Sequence, residues 1–310
     1  MFENLFSTGG LSLERLRSFM SMAEAGSISK AAPGDATRQS LISRQIRELE
    51  EFFQTELTQR RGKTLTLTPA GQRLKLLIHE QLQDLEDFRK EQEGRPKSYI
   101  IGAGASVLEW LVTPALPAIS QLLGGALLRT EAHRSRSLAE AVQDGRVDLA
   151  VIRQNAVPAG KNQVLVLKMH FLLCIPRCLL RPGTTEAEAK KPALWQKLPF
   201  AAGRDGGQTD AAVRAAMQDA GVDFQPRFEC GSMLQVRQLV ALGACAGVLP
   251  SLGARGLSAE ETLILPFTPL KDYGRALVLH WNERQMRRRG QKVEVLKEIA
   301  TQLSSMLARG

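Results

Sequence analysis

A chain of 310 residues with 44% hydrophobic content is long enough for more than one buried core, and it lacks any apolar run long enough to span a membrane. The N-terminus carries acidic Glu3 and no basic region followed by an apolar block, so no secretory signal is visible and a soluble, cytoplasmic protein is expected. The net charge of +9 does not by itself mark a nucleic-acid binder: residues 1–97 hold 15 Lys and Arg against 14 Asp and Glu, and the excess lies beyond them. Within residues 37–75, however, eight basic residues face four acidic ones, a local cluster of the kind that follows a phosphate backbone.

Leu13, Leu16, Phe19, Met20 and Ala23 repeat at helical spacing, and Gly26-Ser27 ends that helix and offers Ser27 as the N-cap of another. From Arg38, the positions Ile42, Ile46, Leu49 and Phe53 fall three or four apart and stack on one helix face. The opposite face carries Ser40, Arg44 and Arg47, with Gln39 and Ser43 on its flanks, side chains of the types that bond base edges and phosphates. Alone, this helix fits an ordinary amphipathic surface helix equally well. Its context favours a reader helix, because the run from Glu56 to Leu67 has Gly62 between basic residues and then alternates apolar with polar, as a hairpin does. Arg60, Arg61 and Lys63 on such a wing would lie beside a phosphate strand.

Thr68 before Pro69 is a strong helix start, and the helix is expected to run to about Glu93. Along it Leu74, Ile78, Leu85 and Phe88 fit the seam of a heptad, so it reads as a dimerisation helix. Gly94-Arg95-Pro96 breaks it and marks a domain boundary.

From Ser98 onward, strands alternate with helices. Strands are expected over 99–104, 126–130, 148–153, 163–168, 170–176, 199–202, 228–230 and 275–281, with a helix through Leu108, Leu111, Leu116 and Ile119 and helices over 211–220, 233–242 and 292–307, the second of these three leading into 246–250. A second unit starts near His170, and the chain returns to the first near Leu263. The run Arg287-Arg288-Arg289 reads as a solvated loop.

Leu16-Arg17-Ser18-Phe19, the Ala23–Ile28 turn, Ala31-Ala32, Ser43-Arg44-Gln45-Ile46, Leu49-Glu50 and Leu67-Thr68-Pro69-Ala70-Gly71 resemble, in order and spacing, the DNA-binding domain of LysR-type transcriptional regulators. Where that family commonly has Ser-Gln-Pro-Ala-Leu-Ser, this chain has Arg38, Gln39, Ser40, Leu41, Ile42 and Ser43, and Pro33-Gly34-Asp35 replaces a helical segment with a buried Leu. Asp144–Val151 and Gly243–Pro250 resemble segments of the family's effector domains, which have a periplasmic-binding-protein fold.

The resemblance implies an α/β chain overall, with a winged helix-turn-helix over 1–67, a linker and dimerisation helix over 68–95, and a two-lobed effector domain over 98–310. Lobe I would take about 98–166 and 267–310, and lobe II about 167–266. Ligands of such folds sit at helix N-termini, where free amides favour an anion. Carried over by position, Ser106, Gln208, Thr209, Ser232 and Met233 would face a small effector of anionic character, with Arg134 or Arg153 adding charge from the rim. Each Ser or Thr is singly explained as a plain N-cap, and it is their convergence on one cleft that the resemblance implies. Double-stranded DNA, a second copy in a dimer or tetramer, and the transcription machinery are the partners it suggests.

Cys174, Cys178, Cys230 and Cys245 show no metal spacing with the four His residues, and free buried thiols are the default in a cytoplasmic chain. No cofactor motif, nucleophile elbow or phosphate loop is present, which disfavours the competing class, a solute-binding module or enzyme with a degenerate helical domain.

Overall fold

The structure is a computed structural model that describes residues 9–61, 64–204, 207–273 and 275–306, together with Glu3 and Leu5; at positions 61 and 64 it describes the backbone. Its contacts divide the chain into two units, Met1–Arg95 and Pro96–Gly310.

The first unit comprises α1 (Leu13–Ala25), α2 (Ile28–Ala31), α3 (Ala36–Phe53), β1 (Thr58–Arg61), β2 (Thr64–Leu67) and α4 (Pro69–Gln92). Each of these four helices has a side-chain cap. Ser12, Ser27, Asp35 and Thr68 accept from the amides of Arg15, Lys30, Arg38 and Gly71, satisfying donors that each helix start leaves open. The Pro33-Gly34-Asp35 departure resolves into a turn: α2 has four residues, Gly34 takes a left-handed φ of 76°, and Asp35 caps α3. Phe19, Met22, Ile42, Ile46, Leu49, Leu57 and Ile78 form the core.

Two contacts fix the wing to this core. Glu50 Oε1 accepts from the amides of Leu57 and Thr58, each at 2.9 Å, and from the Thr58 hydroxyl at 3.0 Å. Gly71 lies so close to the chain before β1 that a Cβ there would sit 2.0 Å from the Leu57 carbonyl oxygen.

The second unit runs β3 (Ser98–Ala103), α5 (Ala105–Val107), a π-helical stretch Leu108–Val112, α6 (Thr113–Leu122), β4 (Leu127–Ala132), α7 (Ser135–Gln143), β5 (Leu149–Arg153) and β6 (Gln163–Met169). It continues with β7 (Phe171–Pro176), α8 (Glu186–Ala189), α9 (Pro192–Trp195), β8 (Phe200–Gly203), α10 (Gln208–Asp219), β9 (Phe228–Cys230), α11 (Met233–Ala241), β10 (Ala246–Pro250), α12 (Ser251–Ala254) and β11 (Thr262–Pro266). β12 (Arg275–Trp281), α13 (Glu283–Arg288) and α14 (Val293–Ser305) complete it.

One sheet has the order β4-β3-β5-β12-β6 and the other β11-β7-β10-β8-β9. The chain passes between them at His170 and again between β11 and β12, giving two α/β lobes. The near-continuous apolar runs of β5, β7 and β10 reflect burial on both faces.

The Arg287–Arg289 run corrects the expectation of a solvated loop. Arg287 and Arg288 end α13, and Arg289 is buried, with Nη1 2.6 Å from Asp148 Oδ1 and its guanidinium 3.9 Å from the centre of the Tyr99 ring. Asp148 Oδ1 also accepts from Gln285 Nε2, and Oδ2 accepts from the Ile100 amide, so both carboxylate oxygens of the buried pair are hydrogen-bonded. The cysteines also differ in part from expectation: Cys174, Cys230 and Cys245 are buried, and Cys178 is exposed. Burial pushes the Cys174 thiol up to about 12 and Cys245 to about 11, so both are held as inert thiols.

Candidate DNA-reading face and ligand cleft

α3 buries Ile42, Gln45, Ile46 and Leu49, which leaves Arg38, Ser40, Arg44 and Arg47 exposed on one side. The angular separation follows from helix geometry, since buried and exposed residues alternate at three- and four-residue intervals. Gln45 is anchored by the Ser18 hydroxyl at 2.5 Å, which ties the buried side of α3 to α1. Arg44 faces Glu48 at 3.6 Å and is 70% exposed; Glu48 also pairs with Arg15.

Gln39 and Ser43 are half-buried on the flank. Gln39 Nε2 donates to the Ala32 carbonyl at 2.7 Å, so the residue expected to read a base edge also closes the turn before its own helix. Arg60 is exposed on β1. The Arg61 side chain and Lys63 lie outside the described residues.

The seam expected on α4 divides. Ile78 is buried with Phe19, Ile42 and Leu49, and Leu74 packs against the same cluster, so these two stabilise their own domain. Leu85 and Phe88 are 56% and 61% exposed, and Leu77 joins them. The correction has a simple origin: a 24-residue helix serves the domain core with its first turns and leaves later apolar side chains exposed among the described residues.

In the second unit, a cleft of about 740 Å³ opens between the two lobes, and all seven residues expected to face an effector line it: Ser106, Arg134, Arg153, Gln208, Thr209, Ser232 and Met233. Their convergence comes from topology. β3 and β5 of one sheet, and β8 and β9 of the other, end at the cleft, and the helix starts that follow contribute the polar side chains. Ser232 acts as the N-cap of α11, accepting from the Gln235 amide at 3.4 Å. Neither Gly104 before α5 nor Gly207 before α10 supplies a side-chain cap.

Arg153 joins the lobes. Its guanidinium donates to the Gln208 side-chain oxygen, and its Nε lies 3.4 Å from the Ser135 hydroxyl. The Gln208 carbonyl accepts from the Tyr273 hydroxyl at 2.8 Å.

Sequence reading missed Arg275, Tyr273, Arg136 and Trp110. Arg275 lines the cleft with its guanidinium 4.5 Å from the centre of the Tyr273 ring. Burial, and then the charge of Arg153, push Arg275 down to about 10; burial also lowers Arg153. Arg275 is the first residue of a strand, and no local pattern says that it points at residues on β5. Trp110 sits in the π-helical stretch, and a Cβ at Gly253 would meet its indole carbons at 2.6 Å, so Gly253 is required for α12 to close over the ring.

Comparison with known proteins accounts for both units. Residues 13–72 match the family model described as the bacterial regulatory helix-turn-helix protein of the lysR family, and residues 92–303 match the LysR substrate binding domain. A probable RuBisCO transcriptional regulator of Porphyra purpurea is 26% identical over 74% of this chain and 75% of its own length. A probable nitrogen assimilation transcriptional activator of Synechococcus elongatus is 25% identical over 82% and 83%. Among solved structures, a cysteine variant of full-length OxyR from Pseudomonas aeruginosa superposes with a TM-score of 0.60 at 19% identity, covering 94% of both chains. Full-length CbnR complexed with its target DNA gives 0.55 at 16%, covering 96% of this chain and 100% of that one. At these identities the two structures speak for the fold.

Proposed function

The chain belongs to the LysR family of transcriptional regulators, with a helix-turn-helix DNA-binding domain and a substrate-binding domain, and from that premise we propose how its own residues divide the work. Arg44, Arg47 and Arg60, with Arg61 and Lys63 of the wing, supply phosphate contacts; Arg38, Gln39, Ser40 and Ser43 meet base edges in the major groove. A small anionic effector occupies the cleft, held by Ser106, Arg134, Arg153, Gln208, Thr209, Ser232 and Met233, and its binding alters lobe closure and so the spacing of paired DNA-binding domains. Leu85 and Phe88 pair two copies, and the protein acts in the cytoplasm by occupancy of DNA rather than by turnover.

The observation that carries the effector reading is the meeting of seven separately placed residues on one cleft from both lobes. The test is selection of bound sequences from a random DNA pool by full-length protein at near-physiological salt, where phosphate-only binding is weak. An enriched site with two related halves is expected, and ligands that fill the cleft change its occupancy. Folded protein that enriches no sequence, with or without such ligands, would overturn the proposal.

A further inference from the structure

Arg153 ends β5, and its register partner on antiparallel β12 is Leu277. Residues directly opposite one another share a face, and so do residues two apart on one strand. Arg275 is therefore the diagonal neighbour of Arg153 on the cleft side of the sheet, where Val151 and Leu277 also line the space. Diagonal neighbours of an antiparallel pair stand about 7–8 Å apart, within the reach of two long side chains for one small molecule.

The partners of these two guanidinium groups are neutral. Arg153 contacts the Ser135 hydroxyl and the Gln208 amide, and Arg275 stacks on Tyr273. Among the described residues neither has a carboxylate within ion-pair distance, and the charge of Arg153 acts on Arg275. Asp210, the acid in the cleft wall, is taken by Arg214 at 3.0 Å. Two half-buried cations set side by side with no counter-charge among the described residues work against folding, and such an arrangement is the mark of an anion site. Across the cleft, the first turn of α10 adds backbone amides that no Gly207 side chain can cap.

We propose that the effector is a compact anion carrying two negative charges, a dicarboxylate or a phosphate monoester, clamped by Arg153 and Arg275 on one lobe and facing the start of α10 on the other. This rests on the cleft being the effector site. Binding takes the Arg153 guanidinium from Gln208, so the ligand replaces a contact that joins the lobes.

Titration calorimetry on the full-length chain tests this at constant ionic strength with succinate, glycerol 3-phosphate and inorganic phosphate against the monoanions acetate and butyrate. At least one dianion is expected to bind about tenfold or more tightly than either monoanion, as paired charge-assisted contacts imply. Succinate against the two phosphates separates the two sources of charge. Arg153→Gln and Arg275→Gln should each weaken that binding by about tenfold or more while leaving the unliganded melting temperature level or higher, because each removes a repelling charge. Equal binding of mono- and dianions, no binding of any dianion at millimolar concentration, or unchanged affinity in both variants would overturn the dianion clamp. A neutral compound that fills the cleft and shifts DNA occupancy would do the same while leaving the effector reading intact. Dianion binding lost in both variants, with DNA occupancy unmoved, would uphold the clamp and remove the effector reading.

Discussion

Gly71 and His280 show how much rests on single positions. A Gly71→Ala side chain would be driven against the Leu57 carbonyl, which is backbone and cannot rotate away, so the start of α4 must shift from the wing. A loss of about 1–3 kcal/mol in the N-terminal domain is expected, the range for forcing a methyl group into packed structure. Denaturant unfolding should show the earlier transition, with cleft binding unchanged. The sequence marked Thr68 and Pro69 as a helix start, but the need for glycine three residues on arises from a neighbour fourteen positions earlier in the chain, which no local pattern displays. Arg289 was hidden for the same reason: its partner Asp148 lies 141 residues away. His280 is buried in β12, with Nδ1 donating to the Asn162 carbonyl at 2.7 Å and Nε2 without a partner among the described residues. Burial, with a smaller push from Lys161, lowers its pKa, and the Asn162 bond opposes this. The unfolded chain takes up a proton below about pH 6.5, where the folded chain still resists it. The folded state is therefore favoured above that pH and loses stability as pH falls below it, by at most about 1.4 kcal/mol per pH unit for one group. Replacing His280 by Gln should flatten that slope below about pH 6.5; an unchanged slope would assign the acid sensitivity to other groups.

At the scale of elements, periodicity was a reliable guide wherever burial was simple. The eight strands expected after Ser98 all occur within two residues of their bounds, because double-sided burial writes a short apolar run. α4 was legible from its face and its Thr68 cap, and α3 from its face alone, since the Asp35 cap that starts it lies in the Pro33-Gly34-Asp35 departure. The short helices α8, α9 and α12 were not, since four residues carry no period; the π-helical stretch falls within a helix that was expected, though its wider turn was not, and α10 begins three residues earlier than the 211–220 expected, because Gly207 opens it. The pairing order of the strands lies outside any local pattern; it was the resemblance to a known family that implied two lobes. In the DNA-binding domain, Gln39 holds two roles that mutation can separate. If its amide reads a base, Gln39→Ala should cost about 1–3 kcal/mol at the selected site and little on other DNA. If closing the turn at Ala32 is its whole contribution, the loss will be uniform across sequences. Arg60→Ala provides the reference for uniform loss, with the slope of log affinity against log salt reduced by about one.

For the whole molecule, the division of α4 bears on the pairing of copies proposed above. A strict heptad would have assigned Leu74, Ile78, Leu85 and Phe88 to a single seam, but the first two are consumed by the domain core, and the last two, with Leu77, stay exposed. Fully burying a Leu or Phe side chain is worth about 1.5–3 kcal/mol, so a second copy that covers these positions on both chains gains enough to matter against the cost of association. The same charge substitution therefore has opposite consequences at the two ends of the helix. Leu85→Glu combined with Phe88→Glu should leave the fold and cleft binding intact while shifting the protein towards monomer in sedimentation equilibrium, and should abolish the advantage of a two-half site over a single half. Ile78→Glu buries a charge among Phe19, Ile42 and Leu49, so it should unfold the DNA-binding domain instead, with binding lost on single half-sites as well. An unchanged oligomer in the double variant would show that association runs through other surfaces, and the spacing of half-sites would then have to be set by the effector domains.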